Sequence, residues 1–251
     1  MGSPGREAVK VLVPKLIEEY NLELVVANAE NAAGGAGILP KVAEELFSYG
    51  CDVLTMGDHT WDKKEALEFY DQTSRLLRPA NFPAEAPGHG FCVVETKKGK
   101  KIGVINLLGR VFIRYNTNCP FEAATKTLKE VYRQTRFVIV DFHGEATSEK
   151  IAFGHFIDGK VSAVFGTHTH VQTADEKILP QGTGYLTDAG MTGPFDSVIG
   201  QKKENIVERF LTTVPSKFEV ATGDVALNGV IFTLDDQTGV TTKILRIQRR
   251  I

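Results

Sequence analysis

Apolar residues recur at two different spacings along the first half of the chain. From Glu7 to Tyr20, the positions Val9, Leu12, Val13, Leu16 and Ile17 repeat at helical period and predict a helix with one buried face. The segment Met1–Gly5 before it holds glycine and proline and reads as a turn. A strand-like run, LELVVANAE, follows and gives way to a loop containing Gly34, Gly35 and Gly37. Pro40 to Tyr49 reads as a second helix with Gly50 as its terminator. CDVLTMG is a second strand, and Asp62 to Tyr70 a third helix.

The texture then changes. Phe91–Thr96 and Lys101–Leu108 flank Gly99 as an antiparallel hairpin. Pro120 to Gln134 is helical, with proline suited to the first turn. FVIVDF and VSAVFGT read as strands around a helix that Ser148 caps and that runs to about Phe156. KILP and TGYLTDAG form a further strand pair, Asn205–Leu211 a short helix, and Asp224–Leu234 with Val240–Gln248 a closing hairpin. Alternating helices and strands, interrupted and closed by hairpins, predict one α/β domain over 1–251. Its expected architecture is a four-layer α/β/β/α sandwich of two mixed sheets.

Composition narrows the classes. The chain has 251 residues, 42% of them hydrophobic, enough for a sizeable core. With 29 basic against 31 acidic residues and no Lys/Arg tail, a nucleic-acid surface is not indicated. Cys51, Cys92 and Cys119 form no CxxC pair or disulfide framework, which points to a reducing, cytoplasmic setting. No apolar run is long enough to span a membrane.

Four polar clusters stand at the ends of strand-like runs. They are Glu30-Asn31, Asp58-His59, His143 and His168-Thr169-His170. Each has an ordinary reading. Glu30 and Asn31 suit a turn, Asp58 suits a helix cap, and His143 suits a satisfied core histidine. The two histidines separated by one residue are the most specific element, because on an extended segment they face one side. Four clusters in one structural position argue for one site where parallel strands empty into loops. Imidazole, carboxylate and amide donors together suit transition metals. His89 and His155 lack neighbouring ligands and are read as structural.

In this order the clusters resemble the calcineurin-like metallophosphoesterase superfamily. The segments Asn28–Gly35, Met56–Asp62, Asp141–Lys150 and Gly166–Asp175 resemble its bacterial YmdB-like phosphodiesterases, with support from Asn106–Arg110 and Thr187–Pro194. The resemblance covers nearly the whole chain. It implies a centre of two divalent cations, iron or manganese first. Glu30 would bridge them, and Asn31 would be a further ligand or a substrate contact. The family's asparagine ligand falls at position 58, here Asp. His143 and His168 would join it at the second cation, and His170 would belong to the first. His59 matches the catalytic histidine rather than a ligand.

The implied activity is hydrolysis of small phosphodiesters, with 2′,3′-cyclic nucleotides favoured. Two cations would neutralise the phosphate and acidify a bridging water from about 15.7 toward about 7. The hydroxide would attack phosphorus, with His59 as general acid, oriented by Asp62. Trp61 is a candidate for base stacking or for core, and Arg110 for a phosphate contact or a surface ion pair. No substrate-binding residue is assigned. A homo-oligomer is implied by the resemblance alone.

The family begins with a strand ending in Gly-Asp, whose Asp binds the first cation. Here Met1 stands directly before Gly2-Ser3-Pro4-Gly5-Arg6, so that strand and ligand are expected to be missing, through truncation or a late start codon. Its neighbours would then have unpaired edges. Two rival readings follow: a non-catalytic metal- or nucleotide-binding regulator, and a metal-dependent phosphomonoesterase.

Overall fold

A computed structural model describes residues 1–251. Helix α1 (Gly2–Tyr20) starts earlier than the apolar pattern does. Met1–Gly5 is its first turn rather than a free turn, because Pro4 suits that position and the Gly5 amide donates to the Met1 carbonyl at 3.0 Å. Asn21 ends the helix in the left-handed region. Strand β1 keeps only Val26–Asn28 of the predicted run, and α2 spans Pro40–Ser48.

Strand β2 is Val53–Thr55. The third predicted helix is instead a 3₁₀ turn, Lys64–Ala66, and a short α3, Leu67–Gln72. Asp62 cannot cap it, since His59 and Arg114 take its carboxylate. Strand β3 (Leu76–Leu77) is too short to leave a sequence pattern. The hairpin β4 (Phe91–Glu95) and β5 (Lys101–Leu108) forms as predicted, followed by α4 (Pro120–Val131) and β6 (Val138–His143). Helix α5 (Thr147–Ile157) is preceded by Ala146, so Ser148 lies inside it and is not its cap. The chain ends with β7 (Ala163–Thr167), β8 (Lys177–Ile178), β9 (Gly184–Leu186), β10 (Gly193–Pro194), α6 (Lys203–Thr212), β11 (Val225–Leu234) and β12 (Thr241–Arg250).

The apolar contacts give four layers, as expected. One core packs α1 and α2 on β1, β2 and the β11–β12 hairpin. A second packs α4 and α5 on β5, β6 and β7. A third, of Val53, Leu77, Cys92 and Val104, lies between the two sheet layers. The layer beside α4 and α5 is a mixed six-stranded sheet, in order β4-β5-β6-β7-β9-β8. The other layer is two three-stranded sheets: parallel β1-β2-β3 and antiparallel β10-β11-β12.

These two small sheets do not pair with each other. Strand β1 has no partner on its outer edge, and β11 has none on the side where β10 pairs, past Ala226. The two free edges face across a cavity of about 440 Å³. Val9 and Val13 of α1 line it, as do Ile102, Ile139 and Phe165 of the large sheet.

Strands β1 and β2 pair in parallel, as do β6 and β7, and the residues at or just past their carboxyl ends converge. Their carboxyl ends deliver Glu30, Asp58, His143 and His168. Close backbone approach makes this arrangement depend on small residues. A Cβ on Gly166 in β7 would lie 1.8 Å from the Thr187 carbonyl oxygen. Gly166→Ala is therefore expected to cost about 3 kcal/mol of unfolding free energy. Gly229→Ala, where the nearest atom is 3.9 Å away, should cost under about 1 kcal/mol. Urea unfolding of both checks this; equal midpoints would refute the steric argument.

Candidate metal centre

Local backbone geometry assembles the site. Gly57 lets the turn after β2 pass close to the cluster: a Cβ there would stand 2.2 Å from His143 Nε2 and 2.3 Å from Glu30 Oε2. The segment after β7 is not extended, because His168 (φ 104°) and His170 (φ 67°) both adopt positive φ. The two side chains therefore do not share one face, as an extended run would require. They go to two different groups.

The first group is Glu30, Asp58, His143 and His168, whose ligand atoms all lie within 4.8 Å of one another. His143 Nε2 is 3.2 Å from Glu30 Oε1, 3.2 Å from Asp58 Oδ1 and 2.9 Å from His168 Nδ1. Asp58 Oδ1 is also 3.3 Å from His168 Nδ1. The Asp58 carboxylate thus points into the cluster and caps no helix. One ring nitrogen holds at most one proton, which cannot satisfy three such neighbours. A cation can, and two carboxylates with two imidazoles fit a divalent transition ion.

The second group meets the same Glu30 oxygen. Asn31 Nδ2 is 3.2 Å from Glu30 Oε1 and 3.2 Å from His170 Nε2. His170 Nδ1 faces the Ile199 carbonyl at 2.9 Å. Glu30 Oε1 is therefore a near neighbour of both groups.

The His59 ring stands apart from both, although its backbone amide donates to Glu30 Oε2 at 3.3 Å. Its Nδ1 is 2.6 Å from Asp62 Oδ2, and its side chain is about one-third exposed. Arg114 Nη2 donates to the other Asp62 oxygen at 2.6 Å, and the same guanidinium donates to the Asp58 carbonyl. Trp61 packs on Tyr70 and Phe82, with ring centroids 5.3 and 5.4 Å away. That places it in an aromatic cluster. The Arg110 backbone amide binds Glu149, and no ion pair engages its side chain. His89 and His155 are exposed and away from both groups.

A buried support holds the ligands. Thr167 Oγ1 donates to Asp141 Oδ1 at 2.7 Å, so it accepts from His143 Nδ1 at 2.9 Å and leaves Nε2 turned to the cluster. Asn28 and Thr55 also donate to Asp141. Asp188, buried, accepts from Lys150 Nζ at 2.7 Å and from both the amide and hydroxyl of Thr169. This fixes the turn between His168 and His170. Glu145 meets His168 Nε2 at 3.0 Å.

Electrostatics follow from burial and proximity. Burial opposes charge on His143, but Glu30, then Asp58, with Asp141 behind, outweigh it and push the imidazole up to about 10. Burial raises Glu30, yet His143 brings it below the usual carboxylate range. Burial raises Asp58 too, and hydrogen bonds from His143 and His168 carry it well below that range. Burial dominates at Asp141 and raises it, and burial lowers His170.

Residues 1–247 match the family described as YmdB-like protein. The chain belongs to this family. It is 49% identical over 247 residues to the 2′,3′-cyclic-nucleotide 2′-phosphodiesterase of Bacillus subtilis (strain 168), covering 98% of this chain and 93% of that protein. A crystal structure of a hypothetical protein from Thermus thermophilus superposes with a TM-score of 0.92 at 37% identity, over 100% of this chain and 96% of the other. A crystal structure of a novel phosphatase from Mycoplasma pneumoniae gives 0.92 at 39% identity, over 99% and 90%. Like the chains it matches, this YmdB-like protein has the metallophosphoesterase fold.

Asn28, Asp141 and Thr167 lie within the segments that carry the family resemblance, yet none stands out there as a site residue; Asp141 is otherwise marked only as a carboxylate inside the apolar strand FVIVDF. Arg114 has no such mark.

The proton on His143 sets a pH dependence. Its folded value, about 10, lies above the free-imidazole value of 6.5. In cation-free protein its stabilising contribution is complete below about pH 6.5 and is lost as pH rises through about 10. A cation needs the deprotonated ring, so binding releases this proton and strengthens over the same window. In EDTA, urea-unfolding stability is expected to fall from pH 6.5 to 10, while apparent Mn²⁺ affinity by calorimetry climbs. Flat stability across that window would mean that His143 is neutral without a cation.

Proposed function

We propose that this chain hydrolyses phosphodiesters, 2′,3′-cyclic nucleotides foremost, at a centre of two divalent cations, iron or manganese. The observation that carries the reading is the convergence of Glu30, Asp58, His143 and His168 within 4.8 Å of one another, with Asn31 between Glu30 and His170 beside them. The 49% identity to a protein named 2′,3′-cyclic-nucleotide 2′-phosphodiesterase supports a phosphoric diester hydrolase. Glu30, Asp58, His143 and His168 would hold one cation, and Glu30, Asn31 and His170 the other. Bound cations would neutralise the phosphodiester and activate a water nucleophile.

The rest of the chemistry falls to side chains. Hydrolysis of a cyclic diester leaves one sugar oxygen that must take a proton. Asp62 holds Nδ1 of His59, which fixes the ring and leaves Nε2 to deliver that proton. Arg114 occupies the other Asp62 oxygen and keeps the carboxylate in place. The His59 ring makes none of the carboxylate contacts that tie His143 and His168 together, which suits a proton donor rather than a ligand.

His59→Ala should lower kcat for 2′,3′-cyclic AMP by about 10²-fold or more with bound manganese unchanged. Steady-state kinetics and elemental analysis of the same sample test this. Full activity in the variant would remove the acid assignment. A monoesterase reading draws on the phosphatase named among the similar structures; faster turnover of p-nitrophenyl phosphate than of its bis ester would favour it. Failure of the manganese-loaded protein to hydrolyse either would favour a regulator.

A further inference from the structure

The loop between β5 and α4 carries an aromatic side chain that the fold does not use. Phe112 is 87% exposed, more than any other large hydrophobic residue of the chain. Its backbone has φ 62°, a left-handed conformation rare for a bulky residue. A loop free to relax would bury the ring or shed the strain. This one is held on both sides. Before Phe112, the Gly109 amide donates to the His143 carbonyl at 2.7 Å, and the Arg110 and Val111 amides donate to the Glu149 carboxylate at 3.0 and 3.2 Å. After it, Arg114 grips the Asp58 carbonyl and Asp62. Both anchors end on residues of the cation cluster or its immediate support. One residue lies between Phe112 and Arg114, so their Cα atoms are at most about 7.2 Å apart. The loop that carries the exposed ring is thus tied to the backbone of His143 on one side and of Asp58 on the other.

A rigid, exposed aromatic beside a site for an anion suits a substrate that joins a phosphate to a flat, uncharged group. We propose that Phe112 is the stacking platform for the nucleobase, and that the 110–114 loop selects nucleoside phosphodiesters over diesters that lack a base. The proposal deepens the diesterase reading above and rests on it. Stacking of a base on an aromatic ring accepts any base, so the loop would favour nucleotides as a class rather than one base.

The test compares 2′,3′-cyclic AMP with 1-O-methyl-ribose 2,3-cyclic phosphate, on manganese-loaded wild type, Phe112→Ala and Phe112→Trp. The ratio of kcat/KM for the nucleotide to that for the base-free diester should fall about tenfold in Phe112→Ala, mainly through KM, and recover in Phe112→Trp. An unchanged ratio overturns the proposal. So does a variant that changes oligomeric state by light scattering without changing the ratio, which would make Phe112 a protein contact. If wild type hydrolyses neither diester, the diesterase reading fails separately, and calorimetric binding of adenosine 3′-monophosphate then decides. Weaker binding by Phe112→Ala keeps the stacking site; equal binding, or none by wild type, removes it.

Discussion

Two carboxylates, Glu30 and Asp58, are held against the same histidine nitrogen in a nearly closed space, and the surrounding architecture exists to keep them there. Like charges at this range repel strongly where water is scarce. In the cation-free protein a proton on His143 is the compensating charge, and a cation does the same work when bound. Nearby acids are compensated differently. Asp188 has Lys150, an ion pair buried at both ends. Asp141 has hydroxyl and amide donors and, under the pressure of burial, an elevated affinity for its own proton. Each acid is therefore assigned a partner of its own, and only the pair at His143 is left to share.

This division explains why supporting residues are polar where a core would be apolar. Thr55 and Thr167 end strands that otherwise bury apolar side chains, and Asn28 ends the half-buried β1. Thr167 meets the ring of His143 directly, and Asn28 and Thr55 join it on Asp141. A buried polar network of this kind is stable only when every member is paired, so substitutions in it would reach the cluster indirectly.

The sequence pattern made the layers legible because helix and strand periods differ clearly in this chain. It also placed the ligand candidates, since each follows a strand. Three things were hidden. Strand β3 is too short to carry a period. The 3₁₀ turn after Asp62 depends on contacts to Arg114, more than fifty residues away in sequence. The turn through His168 and His170 adopts positive φ, which residue types other than glycine do not announce. The partners of Asp141 come from three other segments of the chain, which no local pattern in FVIVDF announces.

Strand β1 leads to the cluster's central carboxylate on a ladder of only three residues, Val26–Asn28, which stops two residues short of Glu30. Strands so short open locally at lower free energy than long ladders in a sheet interior. When β1 frays, Glu30 and Asn31 leave with it, and both donor groups come apart together. Anything that binds only the assembled cluster must therefore also hold β1 shut, by mass action. Occupancy of the centre and local folding of this strand are one equilibrium, observed from its two ends.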